Sequence, residues 1–245
     1  MGNFIFNGVS AADMGLNVER FPRMHDPERR IESYRIPGRQ GDLTQWDGTY
    51  EPYIQEYECW FRDEPLYTMS EKAHRIKRWL GGSPTKARLE DTYDPGVFHE
   101  ATYLGGAEIE NIRNRYGRFT VRFRVDPRAF LHNDEDGILI TAPRAIINLT
   151  DFSTYPLLEV IGSTTSTGVV TIGEHSVNFL TGYETSVWFD CEIREAWQVV
   201  DGEIVPTNAS ISSPSIPRLD PGANRVSFSG VGIEAVRVFP RWWQL

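Results

Sequence analysis

The stretch RFTVRFRV, residues 118–125, alternates without a break: Phe119, Val121, Phe123 and Val125 against Arg118, Thr120, Arg122 and Arg124. Period two is the strand period, so one face of this segment is apolar and the other cationic. A slip of one residue would expose the whole apolar set, so the pattern commits the chain to a sheet with one packed face. YIQEYECWF (53–61) repeats it, with Tyr53, Tyr57, Cys59 and Phe61 on one side. AEIENIRN, joined to 118–125 through RYG, reads as a hairpin partner. Further strands are predicted at 3–7, 16–21, 29–36, 86–91 and 98–104. One segment, SEKAHRIKRWLGG, reads as a helix over about 70–80. Ser70 is placed to cap its first turn, Ala73, Ile76, Trp79 and Leu80 form its apolar stripe, and Gly81-Gly82 end it.

Charge divides the chain. Residues 1–132 hold 19 Lys/Arg against 20 Asp/Glu, whereas residues 133–245 hold 6 against 14, within a net charge of −9. The switch falls at HNDEDG (132–137), an acidic, turn-rich boundary between two domains. Beyond it no helical pattern appears. PLLEVIG, GVVTIG, HSVNFL, SVWFDCEI, AWQVVDGEIVP and NRVSFSG are short strands, and Asp201-Gly202 marks a hairpin of the primed-turn kind. Closely spaced short strands predict a β-sandwich of about 100 residues. An acidic sandwich repels a phosphate backbone, which argues against non-specific nucleic-acid binding there.

No apolar run approaches the roughly 18 residues of a membrane span, so no membrane insertion is expected. The N-terminus has no basic region before an apolar core, so no secretory signal is predicted. Cys59 and Cys191 then read as buried thiols of a cytoplasmically made protein, and the sequons at Asn148 and Asn208 as chance.

Searches for chemistry return little. Five scattered histidines and two distant cysteines give no zinc spacing, and no G-x-S-x-G elbow exists. GVGIEA (230–235) formally fits a dinucleotide motif, but VRVFPRWW follows where that motif needs a helix. NDEDG lacks the spaced oxygen ligands of a calcium loop. No catalytic residue, metal or cofactor is therefore expected. In RYGRFTVRF the aromatics share a face with valines, as in a core, rather than facing RNA. The opposite arginines suit carboxylates on a neighbouring subunit. Trp188 and Trp197 are candidates for a sugar-stacking platform, and Asp190 with Glu192 for a hydrolytic carboxylate pair.

The most turn-dense segment is RIPGRQGDLTQWDGTYE (35–51). It is expected to connect two strands, with Pro37 fixing a turn, Gly38 and Gly41 taking positive φ, and Asp47-Gly48 closing a hairpin.

Five segments in order resemble the distal tail protein family of long-tailed bacteriophages and prophages. FIFNGVSAADMGLNV is similar to its opening strands. YRIPGRQGDLTQWDGTYE is similar to an I-P-G-R-x-G-x-L segment followed by D-G-x-Y, and NLTDFSTYPLLEVIGS to the opening of the second domain. PRLDPGANRVSFSG resembles a late L-x-P-G-x-N turn and VRVFPRWWQL the terminal strand. The resemblance implies a mainly β chain: a β-barrel-like ring-forming domain with one helix over 1–135, and a galectin-like β-sandwich over 136–235. The last strand, 236–245, would return to the first domain. It further implies a non-enzymatic homohexameric ring at the virion tail tip, assembled in the bacterial host's cytoplasm. That ring would join the major tail tube protein to the trimeric tail-tip hub or tail-associated lysin, with receptor-binding proteins on its periphery. DNA would pass through the opening without specific binding. On that reading Arg35, Arg39, Arg118, Arg122 and Arg124 are the candidate oligomer interface. The alternative is a carbohydrate-binding adsorption protein acting through the second domain.

Overall fold

The computed structural model describes residues 2–62, 68–106, 108–112, 115–163, 167–180, 183 and 186–245. The chain is mainly β and divides into two compact units, one running to Ala129 and joined by Leu245, the other Phe130–Gln244.

The first unit contains β1 (Phe4–Phe6), β2 (Val9–Ser10), β3 (Asn17–Val18), β4 (Arg29–Tyr34), β5 (Leu43–Tyr50) and β6 (Tyr53–Arg62). The helix α1 (Met69–Leu80) follows, then β7 (Ala87–Asp91), β8 (Val97–Tyr103), β9 (Glu110–Ile112) and β10 (Tyr116–Leu131). A curled sheet runs β2-β1-β7-β8-β10-β6-β3, and β9 also pairs with β10. The predicted alternation is the observed register. Phe119, Val121 and Phe123 sit opposite Cys59, Tyr57 and Gln55, all six buried, while Arg118, Arg122 and Arg124 point out. Phe4, Phe6, Tyr57, Phe61 and Phe123 fill the core, joined by Ile76 and Leu80 of α1. The predicted hairpin partner appears as β9, although residues 107, 113 and 114 lie outside the described ones.

The helix starts earlier than Ser70 predicts. Thr68 is the N-cap: its hydroxyl accepts from the Glu71 amide at 3.4 Å, and Glu71 accepts from the Thr68 amide at 2.9 Å, a reciprocal capping box. Ser70 has no Glu or Gln three residues on, whereas Thr68 does. The apolar stripe lies as predicted, and buried Lys72 ends its aliphatic stem at the Arg62 carbonyl, 3.2 Å away.

The second unit is a sandwich. Its strands are β11 (Ile138–Ile140), β12 (Arg144–Asn148), β13 (Leu157–Gly162), β14 (Gly168–Ile172), β15 (His175–Phe179), β16 (Val187–Asp190), β17 (Glu195–Val200), β18 (Glu203–Pro206), β19 (Ile211–Ser212), β20 (Gly222–Ser229) and β21 (Ile233–Phe239). They form sheets β11-β21-β13-β16-β17-β18 and β12-β20-β14-β15-β19. Leu158, Val160, Phe189 and Val238 of the first interlock with Val170, Ile172, Phe179 and Val226 of the second. Asp201 and Gly202 take φ of 52° and 84° between β17 and β18, as a primed turn requires. The closing segment holds one more short strand, Trp243–Gln244, which pairs with β10. Residues 236–244 group with the second unit and only Leu245 with the first. The alternation of Val236 and Val238 fits the sandwich core, where β21 pairs with both β11 and β13.

Both cysteines are free and buried. Burial pushes the Cys59 thiol up to about 12 and the Cys191 thiol higher still, so neither carries thiolate near neutrality. Neither is expected to react with Ellman's reagent in the folded chain, and both should react at once in guanidinium; a thiol titrating in native buffer would contradict this packing.

Candidate assembly surface

The hairpin β4–β5 is a two-stranded sheet of its own, its strands pairing only with each other. From Arg29 to Thr49 every residue is exposed. Ile36, Pro37, Gly38 and Arg39 make its turn: the Arg39 amide donates to the Ile36 carbonyl at 3.2 Å, with Gly38 at φ 82°. Proline then glycine at the two central positions is the type II signature.

Asp47-Gly48 does not close the hairpin. It lies inside β5, where the register jumps from Ile31↔Trp46 to Arg29↔Tyr50, forming a bulge. Gly48 takes φ 87°, and Asp47 Oδ1 accepts from the Thr49 amide (2.8 Å) and hydroxyl (2.7 Å). Those bonds hold the Asp47 carboxyl below its usual range. The bulge re-aims Trp46, whose indole N–H donates to the Thr49 carbonyl at 2.8 Å and whose ring lies 4.7 Å beneath the Arg29 guanidinium. Arg30 is tied to Glu51 at 2.8 Å.

Opposed residues share a face of the ribbon. Ile31 and Trp46 therefore stand on one side, Tyr34 and Leu43 on the other, each between 42% and 52% exposed. An isolated two-stranded ribbon is marginal in water, and one with apolar groups on both faces is a surface awaiting cover.

The predicted arginines separate into three settings. Arg35 and Arg39 sit at the exposed hairpin turn with no ion-pair partner among the described residues. Arg118 is engaged within its own chain, 2.7 Å from Glu19, and Arg20 bonds Glu58 beside it. Arg122 and Arg124 stand on the open face of β10, opposite Glu56 and Ile54. The cationic face of 118–125 is thus part of a mixed-charge surface, because β6 places glutamates in its outward positions.

In the second unit Trp188 and Trp197 are opposed across β16–β17, with centroids 6.4 Å apart and planes 6° from parallel; Phe239 lies 5.6 Å from Trp188. Both tryptophans are half-buried. Asp190 and Glu192 do not share a strand face. Asp190 ends β16 and is held by Arg241 at 2.9 and 2.6 Å, while Glu192 lies in the following turn, 3.7 Å from the same guanidinium. A carboxylate bound twice by arginine is poorly suited to proton transfer. Among the described residues no three His, Cys, Asp or Glu side chains cluster to hold a metal.

No family model matches this chain, and no curated protein sequence matches it significantly. Solved structures do. The SPP1 Dit protein (gp 19.1), called a paradigm of hub adsorption apparatus in Gram-positive infecting phages, aligns over 100% of both chains with a TM-score of 0.69 at 13% identity. A chain of the phage P2 baseplate in its activated conformation with Ca aligns over 97% of both chains, with a TM-score of 0.64 at 6% identity. The p2 baseplate activated with Sr gives 0.61 at 8% over the same share. This chain has the fold of the phage distal tail protein along its whole length.

Proposed function

We propose that this chain is a non-enzymatic structural component of a phage tail tip, forming a homohexameric ring between the tail tube and the tail-tip hub. The observation that carries the reading is the β4–β5 ribbon, exposed on both faces and apolar on both. A closed ring uses head-to-tail contacts, in which one patch meets a different patch on the next copy. The ribbon is one patch. The mixed-charge face of β6 and β10, with Arg122 and Arg124 outside any ion pair among the described residues, is the complementary one. Arg35 and Arg39 at the ribbon's turn extend its reach toward carboxylates on the neighbour. Each contact should bury roughly 1,200–2,000 Å² in total. The Dit and baseplate likenesses support the location. The ring's central opening would be the DNA passage.

The ribbon makes the proposal testable. Ile31→Glu with Leu43→Glu places a charge on each face, at positions exposed in the single chain. Surface changes of this kind cost about 0.5 kcal/mol or less in folding. Replacing two central apolar anchors of an interface with charge weakens association by about a hundredfold or more. Analytical ultracentrifugation should therefore show a folded monomer with an unchanged melting curve. Assembly at the wild-type concentration would show that the ribbon is not the seam.

A further inference from the structure

The outer face of the β11-β21-β13-β16-β17-β18 sheet breaks the usual alternation, in which the outward positions of a sandwich strand are polar. One row of opposed residues crosses all six strands: Leu139, Arg237, Glu159, Trp188, Trp197 and Pro206. Their strand neighbours Leu158, Val160, Phe189 and Val238 fill the core, so the row points away from it. Only its two charged members are polar. Phe239 and Leu157, opposed in the next row, continue the apolar surface, and Phe239 lies 5.6 Å from Trp188. A contiguous apolar patch on a folded domain marks a contact site.

The two charges indicate what covers it. Arg237, its side chain 39% exposed, reaches Glu159 with one nitrogen only, 3.3 Å from Oε2. The two-bond pairing that arginine and a carboxylate favour is therefore not made within the chain. A cation beside an anion, flanked by apolar groups, is a patch complementary to itself. The sheet register gives the symmetry operation. With a two-fold axis along the strands, between β21 and β13, Arg237 faces the partner's Glu159 and Glu159 the partner's Arg237. Leu139 then faces the partner's Trp188, and Phe239 the partner's Leu157. An axis across the strands through this row would set Arg237 against the partner's Arg237, which charge forbids.

We infer that this face pairs with the same face of a second copy of the chain, sheet on sheet, about 10 Å apart. The contact is isologous, unlike the head-to-tail seam of the ring. It does not rest on that seam, because all its residues belong to the second unit. Four strands overlap, an outline of about 19 Å by about 14 Å from ordinary strand spacing and rise. That is well below the roughly 800 Å² per partner of a standard interface, so the pairing is weak, with a Kd of about 0.3 mM.

Sedimentation equilibrium from about 10 µM to about 1 mM tests it. The full chain carrying Ile31→Glu and Leu43→Glu is used, so that the reading comes from this face and not from the ribbon. Monomer is expected at the lowest concentration and dimer at the highest. Glu159→Arg and Arg237→Glu should each weaken the dimer by about tenfold or more, and an equimolar mixture of the two should restore it, since opposite charges then meet at both contacts. Leu139→Glu, at a position 46% exposed, should abolish pairing with the melting curve unchanged. Val199→Glu, outward on the same sheet but outside the overlap, should leave it intact. A monomer throughout, a dimer indifferent to positions 139, 159 and 237, no recovery in the mixture of folded variants, or a dimer broken by Val199→Glu would overturn the assignment.

Discussion

Arg241→Ala destabilises the second unit by about 3–5 kcal/mol, the cost of leaving a buried charge without its partner. Asp190 is the charge at stake, with its side chain only 8% exposed. Burial alone would raise its pKa. The hydrogen bonds and charge of Arg241, with the Glu192 and Ile193 amides, outweigh burial and hold the carboxyl below its usual range. Remove the guanidinium and the desolvation remains without its main compensation. The sign of the pH dependence follows. A carboxyl with a depressed folded pKa contributes stability above its unfolded pKa and loses it as pH falls through the folded one. Wild-type stability should therefore decline on the acid side, and the decline should be shallower in Arg241→Ala. Urea melts at neutral and acidic pH measure both effects. A neutral-pH loss under about 1 kcal/mol would show that the pair is only a surface ion pair.

Phe123→Ala is expected to cost the first unit a similar amount, about 3–5 kcal/mol. The ring is fully buried on β10 and touches four others: Phe6 at 4.8 Å, Phe4 at 5.7 Å, Tyr103 at 5.9 Å and Tyr57 at 6.1 Å. Those partners come from three other strands, so collapse onto the vacancy would require β1, β6 and β8 to shift together. Each aromatic pair adds about 0.5–1.5 kcal/mol beyond area burial, which favours the upper end of the range. The conservative Phe123→Leu should lose markedly less. Equal losses for the two substitutions in urea denaturation would mean that the site relaxes and that this ring cluster is not the centre of the core.

The sequence is most readable where one period governs a long segment. In 118–125 alternation names the buried face, and the register with β6 follows it residue by residue. The sandwich strands and the Asp201-Gly202 turn are readable for the same reason: local chemistry and tertiary demand agree there. Asp47-Gly48 shows where local chemistry is ambiguous. An Asp-Gly pair supplies positive φ, and a bulge needs that as much as a turn does; only the pairing partner distinguishes them. Between Ser70 and Thr68 the deciding residue is a glutamate three positions on, a signal present in the sequence. Arg118 reads as a neighbour-facing side chain because nothing local places Glu19 beside it, 99 positions earlier. Nor does any motif join Asp190 to Arg241, 51 positions apart. These sites are assembled by topology from separate strand ends.

In the proposed ring, copies of this chain close on one another through the exposed ribbon. Native mass spectrometry of the purified chain tests it most directly. The ring predicts a species near 168 kDa, six times 28.0 kDa, with ring-shaped particles in negative-stain images of the same sample. A chain that stays at 28.0 kDa as its concentration is raised would contradict a self-closing ring.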